Sequence, residues 1–253
     1  MRLGQNFLAD PNLLDAIVRD AGLLAEDVVL EVGAGEGVLT ERLAEVAAQV
    51  QVIEIDRGLK GVLARLASRQ NVQLHWGDAM KIDLAALRPA PTAVVSNLPY
   101  SVATPLILRT IELLPSVKSW TVMVQREIAE RLRAGPGSRT YGSASAVAQI
   151  ACEVELVRRV DPAVFRPRPR VESAILRLRR RGPAADPQTR GLVRAAFAHR
   201  RKSLARSLDH VSPGEMAAAR AALSELGLPE DARAETLSAE DFLALSAKLH
   251  PDA

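Results

Sequence analysis

Val28-Val29-Leu30-Glu31-Val32-Gly33-Ala34-Gly35-Glu36-Gly37-Val38-Leu39-Thr40 governs the reading of the whole chain. An apolar run of strand length is followed by three alternating glycines, then by a segment of helical periodicity over 38–48. Glycines at that place permit a tight turn and let a ligand approach the backbone. The helix that opens beyond them aims its free N–H groups at the same ligand. The dinucleotide fingerprint requires a glycine where residue 38 is valine, so the spacing is GxGxG. That departure points away from a pyrophosphate-bearing dinucleotide and toward a nucleoside ligand without one.

The same rhythm repeats along the chain. Val50-Gln51-Val52-Ile53-Glu54-Ile55 reads as a second strand, with a helix over 57–68. Val72-Gln73-Leu74-His75 is a shorter third strand. Ala93-Val94-Val95-Ser96 is a fourth, with a helix over 104–114. Trp120-Thr121-Val122-Met123-Val124 is a fifth, with a helix over 126–133. Alternation of this kind predicts a parallel sheet with right-handed crossovers.

Gly135-Pro136-Gly137-Ser138 then breaks the pattern. After a helix over 143–150, two strand-like runs, 153–160 and 173–179, occur without a helix between them. They are expected as an antiparallel pair that adds edge strands to the sheet. Gly182-Pro183-Ala184-Ala185-Asp186-Pro187 reads as a linker, and the remainder is helical over 189–198, 202–209, 213–226 and 239–249. The expected division is therefore an α/β domain over 1–182 and a small all-helical domain over 183–253.

Composition limits the function. The chain has 253 residues and 48% hydrophobic content, enough for a sizeable core. It has no uninterrupted apolar run of membrane-spanning length, and its start shows no signal-peptide pattern. The single cysteine, Cys152, excludes an internal disulfide and a multi-thiolate site. His75, His199, His210 and His250 show no ligand spacing, so no metal is expected. A cytoplasmic protein is the simplest fit. Net charge is only +3, yet residues 158–206 hold fifteen Arg or Lys against three acids. That segment carries an excess of twelve positive charges, so the rest of the chain sums to −9. An acidic body with one basic stretch points to a polyanion such as nucleic acid. The arginines Arg166, Arg168 and Arg170 and the run Arg200-Arg201-Lys202 are its candidate contacts.

Three further places carry chemistry. Glu54 closes the second strand, where a carboxylate can take both hydroxyls of a ribose. Asp78, in Gly77-Asp78-Ala79-Met80, follows the third strand and can accept from an adenine amine. Asn97-Leu98-Pro99-Tyr100 follows the fourth. The Asn97 side-chain oxygen can accept from an exocyclic amine. Pro99 restricts its own φ and the conformation of Leu98, which lets the Leu98 carbonyl serve as a second acceptor. Tyr100 offers a ring face for stacking.

Taken together, these motifs resemble the S-adenosylmethionine-dependent ribosomal RNA adenine dimethyltransferases of the KsgA/RsmA family, over nearly the whole chain. Gly4-Gln5-Asn6-Phe7-Leu8 resembles the family's N-terminal signature, and Glu31 to Thr40 its methionine-side loop. Ile53-Glu54-Ile55-Asp56, Gly77-Asp78-Ala79 and Asn97-Leu98-Pro99-Tyr100 follow in family order. Phe165-Arg166-Pro167-Arg168-Pro169-Arg170-Val171-Glu172-Ser173 and Phe197-Ala198-His199-Arg200-Arg201-Lys202-Ser203-Leu204 are the more discriminating matches. The resemblance implies a Rossmann-like class I methyltransferase sheet, mostly parallel with antiparallel edge strands, plus a small helical domain that contributes to RNA binding. It implies a cofactor site lined by Asn6, Leu8, Gly33, Gly35, Glu54, Asp78 and Asn97, with S-adenosyl-L-methionine as cofactor. It also implies that Phe165 flanks the target base opposite Tyr100. The implied partner is 16S rRNA in a pre-30S particle, met by a monomer, and the implied substrate is a pair of adjacent adenosines near the 3′ end. The family's longer basic segment before the Gly-Gln-Asn-Phe-Leu signature has no counterpart beyond Met1-Arg2-Leu3.

Two other readings stand beside this one. An Erm-like 23S rRNA adenine methyltransferase shares the glycine turn and an Asn-x-Pro-aromatic segment, but Leu98 and Arg200-Arg201-Lys202 favour the small-subunit family. A ribosome-assembly factor that binds RNA, with catalysis secondary, is a reading of another class.

Overall fold

A computed structural model describes residues 7–251. The chain divides into two compact units. One takes in the chain up to Ala129 together with Glu153–Arg180, and the other Glu130–Cys152 together with Arg181 onward.

The first unit is built on a seven-stranded sheet. In chain order its strands are β2 (Val28–Val32), β3 (Gln49–Glu54), β4 (Val72–Trp76), β5 (Ala93–Asn97), β6 (Ser119–Gln125), β7 (Cys152–Val160) and β9 (Ser173–Arg180). β1 (Phe7–Leu8) and β8 (Phe165–Arg166) form a separate two-stranded pair. Across the large sheet the order is β4-β3-β2-β5-β6-β9-β7. The five strands from β4 to β6 are mutually parallel, and β9 lies antiparallel to β6. Every residue of the central β2 is buried, as expected for a parallel strand covered on both faces. Its helices are α1 (Pro11–Ala21), α2 (Val38–Val46), α3 (Lys60–Ala67), α4 (Ala103–Leu113) and the start of α5 (Arg126–Arg133).

The strands and helices expected from periodicity are present, with ends shifted by a few residues. Two elements were not foreseen. The helix α1 has clear local signals: Asp10 caps it through hydrogen bonds from the Asn12 and Leu13 amides, Pro11 opens it, and Gly22 closes it at φ +58°. The β1–β8 pair brings Leu8 opposite Phe165 and Phe7 opposite Arg166, a long-range pairing with no local signature. The late strands also differ in placement from a simple appended pair. β9 inserts between β6 and β7, so the earlier of the two strands occupies the edge.

The second unit consists of helices: α6 (Ser143–Ala151), α7 (Pro187–Phe197), α8 (Leu204–Val211), α9 (Glu215–Glu225) and α10 (Ala239–Leu249), with the end of α5. Asp186 caps α7, accepting from the Thr189 amide at 2.8 Å and its hydroxyl at 2.6 Å. Ser238 and Asp241 form a capping box at α10. The core of this unit joins Tyr141 and Ala146 with Leu192, Leu204, Leu223 and Phe242. Residues 130–152 therefore group with the C-terminal helices, although the sequence division at 182 assigns them to the α/β domain. The reason is tertiary: the small apolar face of α6 fits that helical core, and Gln149 Nε2 donates to the Leu132 and Ala134 carbonyls, each at 2.8 Å.

Candidate functional site

The carboxyl ends of β2, β3, β4 and β5 are tied together by hydrogen bonds just past the strands. The Gly33 amide donates to the Ile53 carbonyl at 2.9 Å, and the Gly77 amide to the Glu54 carbonyl at 2.9 Å. Ser96 Oγ accepts from the Val32 amide at 2.9 Å, and the Leu98 amide donates to the Met123 carbonyl at 3.0 Å. These ties bring the loops after four parallel strands to one level. Open α/β sheets bind ligands at that edge.

A cavity of about 640 Å³ opens there, within the range of small-molecule pockets. Leu8, Gly33, Gly35, Glu54, Asp78 and the whole segment Asn97-Leu98-Pro99-Tyr100 line it. Glu31, Met80 and Gln125 complete parts of the wall; Glu31 and Met80 belong to motifs quoted above without being marked as site residues, and Gln125 has no motif. Asn6 lies outside the described residues.

The glycine turn is shaped by contact as well as by conformation. Gly35 has φ +56°, and a Cβ there would stand 2.9 Å from Phe7 Cδ1. The Phe7 ring already occupies that side of the turn, so a side chain at residue 35 would collide with it, and the positive φ is strained for any residue but glycine. The Gly35 amide donates to Glu54 Oε2 at 3.1 Å, while the Asp56 amide donates to Oε1 at 2.8 Å. Glu54 is 4% exposed, with both oxygens oriented by backbone donors. Each oxygen keeps a further lone pair, so a vicinal diol is a fitting partner. Asp78 Oδ1 accepts from the Met80 amide at 2.9 Å, which sets the orientation of its half-buried carboxylate.

Leu98 is buried at 2% exposure, so it anchors its tetrapeptide while Asn97 and Tyr100 remain partly accessible. The Pro99 carbonyl accepts from the Val102 amide at 3.1 Å, closing the turn before α4. The Tyr100 hydroxyl stands 2.6 Å from Ser173 Oγ, and burial pushes the phenol up.

Glu31 is the most perturbed carboxyl in this wall. Thr40 Oγ1 donates to it at 2.6 Å, yet burial, aided by repulsion from Glu54, raises it from 4.5 to about 8. A carboxyl raised in the folded state binds its proton there more tightly than in the unfolded chain. Stability is therefore full below 4.5 and falls as pH rises toward 8. Glu31→Gln, which stays neutral, should unfold at a nearly constant denaturant midpoint across that window while the parent midpoint declines. Parallel pH profiles for the two proteins would refute the assignment.

Other expected residues fall elsewhere. Phe165 is 2% exposed, sits in the core that includes Leu8, and does not line the cavity. Pairing of β8 with β1 sets it opposite Leu8, which itself lines the cavity. Arg166, Arg168 and Arg170 are exposed, and Arg168 lies 3.7 Å from Asp161. In the helical unit Arg200 is partly structural, since its Nη2 donates to the Arg139 and Tyr141 carbonyls at 3.1 and 3.2 Å. Arg201 is exposed, and Lys202 Nζ lies 3.0 Å from His210 Nε2. Among the described residues no group of three His, Cys, Asp or Glu is placed to hold a metal, and no helix is long and apolar enough to cross a membrane.

Comparison with known proteins gives the family and the fold. The family model described as ribosomal RNA adenine dimethylase matches residues 1–250. A ribosomal RNA small subunit methyltransferase A from Rubrobacter xylanophilus is 44% identical over 254 residues, covering 99% of this chain and 95% of that protein. The protein of the same name from Deinococcus radiodurans is 44% identical over 250 residues, covering 98% and 84%. Among solved structures, a dimethyladenosine transferase from Plasmodium falciparum superposes with a TM-score of 0.81 at 28% identity, covering 94% and 95% of the two chains. The 23S rRNA methyltransferase ErmE superposes at 0.71 with 30% identity, covering 96% and 99%. The fold is thus the α/β sheet of these methyltransferases with a helical C-terminal region, and a glycine cradle, an oriented carboxylate and an Asn-Leu-Pro-Tyr turn share one cavity. This chain belongs to the ribosomal RNA adenine dimethylase family.

Proposed function

We propose that the enzyme transfers methyl groups from S-adenosyl-L-methionine to the N6 atoms of two adjacent adenosines near the 3′ end of 16S rRNA. It acts as a monomer on a small-subunit precursor in the cytoplasm. The observation that carries this reading is the meeting of Glu54, Asp78 and Asn97 in one cavity. Two relatives named for the small subunit, each 44% identical over nearly the whole chain, favour that substrate over the large-subunit one of ErmE.

The residues fit the cofactor. The glycine turn at Gly33 and Gly35, which brings backbone to the cavity wall, suits the methionine side, the doubly oriented carboxylate of Glu54 suits the ribose, and Asp78 suits the adenine amine. When bound, the cofactor supplies an activated methyl on a good leaving group. What the protein must add is positioning and electrostatics.

The adenine N6 lone pair is delocalised into the ring, so the nitrogen is a poor nucleophile. Asn97 Oδ1 and the Leu98 carbonyl accept from its two hydrogens and favour a more pyramidal nitrogen with its lone pair directed outward. Tyr100 stacks on the base. The amine attacks while neutral and releases its proton as or after the bond forms, so no histidine base is required. The second transfer proceeds with one N6–H fewer, and one of the two acceptors loses its partner. The base reaches this pocket only by leaving its stack.

RNA recognition by shape and phosphate falls to the basic side chains, with Arg201 and Lys202 as the probes because Arg200 braces its own unit through two backbone carbonyls. Replacing Arg201 and Lys202 by alanine should lower the slope of log affinity against log salt by roughly one to two. An unchanged slope in a filter-binding titration would remove them from the interface. The assignment as a whole is tested by incubating unmodified small-subunit particles and, in parallel, 23S rRNA with enzyme and labelled cofactor, then mapping the product on each RNA by primer extension. Label on large-subunit RNA alone would overturn it.

A further inference from the structure

Tyr100 and Ser173 are 73 positions apart in the chain, yet their hydroxyl oxygens stand 2.6 Å from one another. Ser173 opens β9 and lies in register opposite Gln125 of β6, itself part of the cavity wall. Ser173 is wholly buried, a position where a hydroxyl requires a partner. Its partner is the phenol of a residue that lines the cavity. The anchor is held on its other side too. The Arg126 amide donates to the Glu172 carbonyl at 2.9 Å, and the side chains of Arg126 and Glu172 form an ion pair.

A tyrosine ring turns about two torsions. The phenol oxygen lies on the axis of the second, so a hydrogen bond there fixes the first and with it where the ring stands, while packing and the in-plane preference of the phenol's hydrogen bond set its tilt. The bond also occupies the phenol, which leaves the ring face, not the hydroxyl, to meet a base. We propose that Ser173 is a positioning residue that locks the Tyr100 ring as a preformed stacking platform for the extruded adenine. This rests on the reading of Asn97-Leu98-Pro99-Tyr100 as the grip on the target base. Preorganisation acts on the chemical step more than on capture of RNA, because none of the arginines and lysine proposed to meet phosphate lines the cavity.

The test compares the parent with Ser173→Ala, Tyr100→Phe, the double variant and Tyr100→Ala in single-turnover methylation of unmodified small-subunit particles. Tyr100→Phe probes the same bond from a partly exposed residue, so a folding defect in Ser173→Ala does not leave the question open. Ser173→Ala and Tyr100→Phe should each slow the chemical step by roughly tenfold at saturating RNA, with the apparent affinity for particles unchanged. The double variant should be no slower than either single one, because both remove the same bond. Additive losses, a normal rate for either single variant, or a loss confined to RNA affinity would overturn the tether. Tyr100→Ala separates the two layers. If it is as active as the parent, the stacking role of Tyr100 itself fails; if it is inactive while Ser173→Ala is normal, only the tether fails.

Discussion

Asn97→Ala is expected to lower the rate of methyl transfer by at least about a hundredfold, with the fold retained. Asn97 ends β5 and lines the cavity between the Glu54 side and Tyr100. Its backbone belongs to the strand, and alanine keeps that conformation. What disappears is the side-chain acceptor that draws an N6 hydrogen and exposes the lone pair. That contact gains strength as positive charge develops on the nitrogen, so its loss falls on the transition state more than on ground-state binding. Single-turnover rates at saturating particles and cofactor measure this directly. Methylation within tenfold of the parent would show that another group activates the amine.

Glu54→Gln should weaken cofactor binding by about a hundredfold or more. Both carboxylate oxygens accept from backbone amides, Oε2 from Gly35 and Oε1 from Asp56. A glutamine has one acceptor oxygen, so its NH2 group must face a backbone N–H, donor against donor. The loss is therefore double: the charge that holds the ribose hydroxyls is gone, and the cradle at Gly35 is pushed out of shape. Calorimetric titration with the cofactor reads the effect. Retention of parent affinity would place the ribose elsewhere. An affinity loss paired with a normal rate at saturating cofactor is the further expected signature, since Glu54 stands away from the reacting amine.

Much of the site is legible without any coordinates. Gly33, Glu54, Asp78 and Asn97 each follow or end an apolar run, and parallel strands deliver such residues to the same edge. Strand periodicity and the ligand rule for open sheets are then enough to bring them together. Ser173 is legible as part of a motif but not as the partner of Tyr100. For Phe165 the motif suggests a place beside the base, and only the long-range pairing with Leu8 shows that it is buried in this structure. Glu31 reads as an acid next to a glycine turn, and only its enclosure raises it to about 8.

By itself the sequence determined the order of elements, the glycine turn and the acids at strand ends, because these depend on neighbours along the chain. The tertiary structure decided that β9 enters between β6 and β7, that residues 130–152 join the helical unit, and that Ser173 meets Tyr100. Those outcomes depend on strand order and register, where a slip of one residue would turn every side chain of β9 to the opposite face. Local preference carries no record of that choice; the competition for burial among distant segments makes it.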